Sequence, residues 1–194
     1  MRPGVDLTRF DNSWYKPGRS YAVQAIWFFL GLPLLRSSWL PGSRYRVILL
    51  RLFGAKIGRG VVVKPGVRVK YPWRLEIGDH AWIGEDVWVD NLADVRIGSH
   101  ACVSQGAYLC TGNHDWSDPA FALLVRPITL GDASWVGARA LIAPGVELGQ
   151  GAVAAAGSVV RRPIPPWEIH AGNPAAFVRR RQIRPSGCPP STSS

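Results

Sequence analysis

Aliphatic residues recur at every sixth position through most of this chain, and that period restricts the fold more than any other feature. Leu130, Val136, Ile142, Leu148, Ala154 and Val160 form an unbroken series. Upstream the same spacing runs through Ile57, Val63, Val69, then Ile77, Ile83, Val89, then Ile97, Val103, Leu109. Helices and ordinary strands repeat near 3.6 and 2 residues, so neither produces it. A fixed longer period marks a chain wound into stacked units. The three upstream groups start twenty residues apart, as an eighteen-residue coil would if one corner took a two-residue bulge.

The other hexad positions agree. A glycine follows the aliphatic residue at Gly58, Gly78, Gly84, Gly98, Gly131, Gly137 and Gly149, and three positions further on stands a small or β-branched residue, as at Val61, Ala81, Ala101, Ala140 and Ala152. Glycine accepts backbone angles that other residues resist, which predicts sharp corners there. Pro65-Gly66 and Pro144-Gly145 read as turns. Three flat faces per coil give a triangular solenoid with one aliphatic side chain per face in a narrow core.

The repeat breaks between Leu109 and Leu130, where the chain reads Cys110-Thr111-Gly112-Asn113-His114-Asp115-Trp116. A lone histidine is more often structural than functional, but His114 sits where the chain leaves the solenoid, so its ring is free to enter a groove. Its titration near neutrality suits a general base. Cys110 has two readings: a thiol nucleophile, or a small apolar residue packed at a corner. The second is the plainer.

Residues 1–20 are polar and turn-rich. Tyr21–Leu35 is an apolar run of fifteen residues, short of the roughly twenty that cross a bilayer. With Trp27, Phe28, Phe29 and Trp39 beside Arg19 and Arg36, residues 21–53 read either as a segment lying at a membrane interface or as a helical cap over the first coil. Arg44–Lys56 predicts a second short helix, its arginines facing headgroups or solvent. The aromatic insert Lys70–Arg74, with Trp82 and Trp88, reads as a carbohydrate surface or as a subunit interface. Asn173 before Pro174 signals a helix start, so a short C-terminal helix is expected from Pro174 to about Ile183. The expected divisions are an N-terminal extension over 1–56, the repeat over 57–163 with a loop at 110–129, a closing segment over 164–183 and a disordered tail over 184–194.

Twenty-three Lys and Arg against thirteen Asp and Glu give a net charge of +10, which favours anionic partners. The chain carries no RNA-binding signature or helix-turn-helix pattern, so nucleic acid is not expected. Three cysteines, Cys102, Cys110 and Cys188, suggest neither a disulfide framework nor a zinc pair, and read as cytoplasmic.

The hexads from Ile57 to Arg179 resemble the hexapeptide-repeat acyltransferases, an all-β family whose left-handed parallel β-helix would here have about five coils. The handedness comes from the family, since parallel crossovers are otherwise right-handed. CTGNHDWSDPAF and PPWEIHAGNPA look like the colanic-acid-type branch of polysaccharide O-acetyltransferases, related to galactoside and nodulation-sugar acetyltransferases. The resemblance implies acetyl-CoA as co-substrate, no metal, a homotrimer with sites between subunits, and direct acetyl transfer to a hydroxyl of an exopolysaccharide sugar, free or lipid-linked. It puts the catalytic base at His114, with Asp115 or Asp118 orienting it. It puts the cofactor at Trp135, Ala138, Ala156, Arg161, Arg162 and Arg179. The acceptor would meet Trp116, and Asp90 or its neighbour Asn91 at the position where relatives carry asparagine. An amino-sugar N-acyltransferase and a silent scaffold for polysaccharide assembly remain as alternatives. The γ-type carbonic anhydrases share the fold, and His80 and His100 occupy equivalent hexad positions, but the third histidine they need would have to come from an acetyltransferase-type loop.

Overall fold

Short parallel strands stack along three faces of a triangular prism in the computed structural model, which describes residues 4–184. The first face holds Lys56–Ile57, Leu75–Ile77, Val95–Ile97, Ile128–Leu130 and Glu147–Leu148. The second holds Val62–Val63, Trp82–Ile83, Cys102–Val103, Trp135–Val136, Val153–Ala154 and Glu168–Gly172. The third holds Arg68–Val69, Trp88–Asp90, Tyr108–Cys110, Leu141–Ile142 and Val159–Val160. Hexad aliphatics lie in register, as in the second-face column Val63, Ile83, Val103, Val136, Ala154. All of these are buried, and each valine or isoleucine side chain removed from water contributes about 1.5–3 kcal/mol. Five coils are complete. A bridge from Leu148 to Ile164 and the strand Glu168–Gly172 start a sixth, so the solenoid has about six turns where the hexads predicted about five.

The glycines serve a purpose different from the expected one. The left-handed backbone angles at the edge between the first and second faces belong to residues two positions later, with φ of 57° at His80 and at His100. The glycines are required by contact between coils: a Cβ on Gly78 would lie 2.5 Å from Ser99 N, and one on Gly98 2.6 Å from Asp132 N. The edge between the third and first faces differs. The residues that follow its hexad aliphatics are Lys70, Asp90, Cys110, Ala143 and Arg161, none of them glycine, and every insert of the repeat leaves the prism there.

Residues 21–36 form one continuous helix with a π-helical turn at Trp27–Gly31. Trp27 fastens it: the buried indole donates its N–H to Val69 O at 3.0 Å and packs on Phe53, ring centroids 4.9 Å apart. A side chain at Gly31 would run into that ring, with Cβ 2.3 Å from Trp27 Cε3. The helix Arg44–Leu52 follows, and Trp27, Leu35, Val47 and Leu50 join the solenoid core. The extension therefore caps the first coil, while Phe28, Phe29, Leu30 and Trp39 on it stay exposed. Arg46 departs from expectation: it is buried and donates to the carbonyls of Leu35, Ser37, Leu40 and Gly42, bracing the connection between the helices. Among the described residues no helix is long and apolar enough to cross a membrane.

The C-terminal helix is not formed. Asn173-Pro174 makes the turn of a hairpin in which Ala175–Arg180 runs antiparallel to Glu168–Gly172, extending the second face. Pairing with an open sheet edge outweighs the local helix-start signal. Of the expected disordered tail, residues 185–194 lie outside those described.

Candidate active site

The long insert leaves the third-face strand Tyr108–Cys110 and folds into a hairpin whose strands, Gly112–His114 and Leu123–Val125, pair antiparallel. Thr111 seats its base: the buried hydroxyl donates to Asp90 O at 2.9 Å and accepts from Ala93 N at 3.0 Å. The Cys110 thiol donates to Gly112 O at 3.1 Å, which fits the packed reading of this residue.

His114 closes the first of these strands, and Phe121 holds its ring in two ways. The rings stack with centroids 4.4 Å apart and planes 6° from parallel, and the Phe121 carbonyl lies 2.9 Å from Nδ1. Phe121 has φ of 51°, an angle that bulky residues rarely adopt, and it turns the carbonyl back onto the imidazole. A carbonyl only accepts, so Nδ1 is the donor to it, and in the neutral tautomer that this bond selects the lone pair is on Nε2. Nε2 makes no hydrogen bond among the described residues.

This corrects the orienting role expected of Asp115 or Asp118. Asp115 Oδ1 accepts from Ser117 N at 2.9 Å and from Ser117 Oγ at 2.5 Å, and those bonds hold its carboxyl below the usual range. Asp118 accepts from Ala120 N at 2.9 Å. Both carboxylates shape the turn that delivers the Phe121 carbonyl.

His114 lines a cleft of about 840 Å³ whose far wall is the N-terminal segment. Phe10 lies against the imidazole at 5.6 Å, Asp6 N donates to Pro119 O at 2.8 Å, and Tyr15 OH donates to Leu92 O at 2.7 Å. Burial pushes the Tyr15 phenol up to about 12, so it remains a donor at neutral pH. Neither this wall nor the Phe121 carbonyl is legible in the sequence: residues 4–20 have no periodicity, and a main-chain carbonyl has no residue type.

The expected acceptor residues fare differently. Asn91 is fully buried, with Oδ1 accepting from Tyr71 N at 2.9 Å and Nδ2 donating to Tyr71 O at 2.7 Å. Its amide is saturated inside the corner and unavailable to a ligand. Asp90 pairs with Lys70 at 3.1 Å, accepts from Tyr108 OH at 3.2 Å and lines a neighbouring groove rather than this cleft. Trp116 stands on the hairpin tip, 81% exposed and away from the cleft lining.

The expected cofactor residues lie elsewhere on the prism. Trp135 is half exposed, its indole donating to Ser104 Oγ at 2.8 Å. Ala138 and Ala156 are neighbours on successive coils at the edge between the second and third faces, where Gly157 N donates to Ala138 O at 2.8 Å. Arg161 and Arg162 flank a recess of about 580 Å³ with Pro174, Ala175 and Ala176. Arg179 is exposed on the closing hairpin, opposite Ile169. His80 and His100 stack at 5.3 Å, and no group of three or more metal-ligating side chains occurs among the described residues.

Comparison with known proteins gives consistent matches. A family model described as the hexapeptide repeat of succinyl-transferase matches residues 127–162. The Escherichia coli K12 protein named for colanic acid biosynthesis acetyltransferase activity, WcaF, is 40% identical over 179 residues, covering 91% of this chain and 97% of the relative. The Vibrio cholerae hexapeptide-repeat acetyltransferase VCA0836, solved in complex with acetyl coenzyme A, superposes with a TM-score of 0.75 at 26% identity, covering 84% of this chain and 88% of that one. A galactoside acetyltransferase solved with coenzyme A superposes with a TM-score of 0.69 at 25% identity, covering 83% and 78%.

Proposed function

The chain belongs to the hexapeptide-repeat acetyltransferases, with their left-handed parallel β-helix, and from that premise we propose that it transfers acetyl from acetyl-CoA to a sugar hydroxyl in exopolysaccharide biosynthesis. The observation that carries the reading is His114, its Nδ1 committed to the Phe121 carbonyl and its Nε2 lone pair open beside a cleft of about 840 Å³. A neutral hydroxyl is a poor nucleophile, and a base that removes its proton as the C–O bond forms lowers the barrier. His114 Nε2 takes that proton and returns it to the departing thiolate. The Phe121 carbonyl fixes the tautomer and favours the imidazolium formed in between. An oxyanion donor is needed at the thioester, and the Ala138 N–H is our assignment for it. Trp135 and Ala156 flank the pantetheine arm, and Arg161, Arg162 and Arg179 meet the phosphates.

This reading calls for a trimer. Ala138 and Ala156 lie on the edge between the second and third faces, and His114 leaves the edge between the third and first. A site that uses both is built where two protomers meet, and threefold closure repeats it without leftover surface. The exposed aromatics within residues 21–53 support peripheral attachment to a membrane.

The test is release of free CoA thiol from acetyl-CoA across a panel of sugars and amino sugars, comparing wild type with His114→Ala. Histidine-dependent release with a hydroxyl acceptor is expected. Release that survives the substitution, or that occurs only with amines, would sink the reading.

A further inference from the structure

Residues 6–17 have almost no core to hold them, yet they are tied to each of the three inserts that leave the prism at one edge. Within residues 4–20 only Tyr15 and Pro17 are even half buried. On the Lys70–Arg74 insert, Pro17 O accepts from Trp73 Nε1 at 2.7 Å and from Arg74 Nε at 3.2 Å, and Lys16 O accepts from Arg74 Nη2 at 2.7 Å. On the Asp90–Asp94 insert, Tyr15 OH donates to Leu92 O at 2.7 Å. On the hairpin insert, Asp6 N donates to Pro119 O at 2.8 Å. Ordering an exposed segment costs conformational entropy that little buried surface here offsets. The use of the segment is therefore to be sought at what it reaches.

What it reaches is His114. Between the second and third anchors the segment is stiffened by two local turns. Asp6 Oδ1 accepts from Thr8 N at 3.1 Å and from Thr8 Oγ1 at 2.6 Å, and Asp11 accepts from Ser13 N at 2.8 Å and from Ser13 Oγ at 3.1 Å. Phe10 stands between these turns, its ring centroid 5.6 Å from that of the imidazole and its plane tilted by 56°. The stack of His114 on Phe121 is only 6° from parallel, and a flat stack by itself lets a ring slide in its own plane. A second ring set at a steep angle opposes that motion. The Asp6 anchor grips the same device from another side, because Pro119 lies two residues before the Phe121 carbonyl that accepts from Nδ1.

Resting on the acetyltransferase reading above, we propose that Phe10 is a positioning residue for the base, and that residues 6–17 form a strap whose purpose is to hold it against His114. The contact keeps the imidazole in the orientation that joins Nδ1 to the Phe121 carbonyl and leaves Nε2 without a protein partner. Small displacements of a reacting group are costly: a shift of about 1 Å can lower a rate by about 10²-fold. Without Phe10 the base is still present and still titrates, but it is no longer aimed.

The test compares wild type with Phe10→Ala, Phe10→Tyr and Leu7→Ala, the last a control on an exposed residue of the same strap, with thermal melting to check that all four are folded. Steady-state kinetics use acetyl-CoA and the acceptor that gives histidine-dependent CoA release. Phe10→Ala is expected to lower kcat by about tenfold or more while KM for acetyl-CoA changes by less than about threefold. Phe10→Tyr should recover most of the loss, and Leu7→Ala should match wild type. Nitrogen-15 NMR of the side chains reads the imidazole directly, the His114 signals being picked out from those of the four histidines by their absence in His114→Ala. Wild type and Phe10→Tyr should show His114 as one neutral tautomer protonated on Nδ1, and Phe10→Ala a mixture of the two. An unchanged kcat in Phe10→Ala overturns the proposal, as does a loss of kcat with the tautomer unaltered, which would make Phe10 a contact for the acceptor. A rise in kcat would make the strap an obstacle over the cleft and would overturn it too. If wild type releases no CoA with any acceptor, it is the acetyltransferase reading that fails, while the NMR comparison still decides whether Phe10 fixes the imidazole.

Discussion

Asp90–Asp94 and residues 110–127 leave the prism at the same place one coil apart, Asp90 lying beside Cys110 in register, and they meet opposite ends. The first insert is sealed. Asn91 turns inward and closes both backbone bonds of Tyr71 on the coil below. The second opens into a hairpin whose polar side chains satisfy their own turns, leaving one imidazole nitrogen without a partner. A corner becomes scaffold when its polar groups are spent on the neighbouring coil, and becomes a site when one is kept back.

Four changes test that contrast. The largest effect is expected from His114→Ala, which should lower turnover by about 10²–10⁴-fold while the melting temperature stays near wild type; a large drop in melting temperature would instead make His114 part of the scaffold. Asn91→Ala should do the reverse. It leaves the half-buried N–H and C=O of Tyr71 without their partner and should cost about 2–4 kcal/mol in urea denaturation, and a shift below about 1 kcal/mol would mean the corner is not held by this amide. Thr111→Val, at the junction of the two inserts, leaves Ala93 N without its acceptor and should cost about 1–2 kcal/mol. A denaturation midpoint unmoved from wild type would remove Thr111 from the base of the hairpin. The smallest effect is expected at Asp115→Asn: because the Phe121 carbonyl orients His114, kcat/KM should change by less than about threefold, and a hundredfold loss would restore the carboxylate as the orienting group.

The core was legible because each face demands one buried aliphatic residue per six, and no other arrangement satisfies that spacing. The sixth turn was missed where the pattern lapses: His170 stands beside Ala154 on the second face, a position that every earlier coil fills with an aliphatic residue. The closing hairpin was misread because Asn173-Pro174 fits a helix start and a tight turn equally well until the sheet edge beside it is known. That His114 would face a cleft was legible from its place in the interruption. Asn91 was not, since a buried asparagine and a ligand-binding one share a letter and differ only in which way the side chain turns. The Phe121 carbonyl was invisible for a simpler reason: every residue has one.

Along one edge of the prism no glycine directly follows the hexad aliphatic residues, and this has a consequence for how such proteins diversify. Where Gly78 and Gly98 let successive coils touch backbone to backbone, an added side chain would run into the next coil. Along the edge that carries Lys70, Asp90 and Cys110 no such glycine contact is needed, and that edge already accommodates two five-residue inserts as well as the hairpin that presents His114. It is a seam at which loops can be exchanged or grafted without disturbing the stack, so a surface beside the cleft can be rewritten there while the column is inherited unchanged.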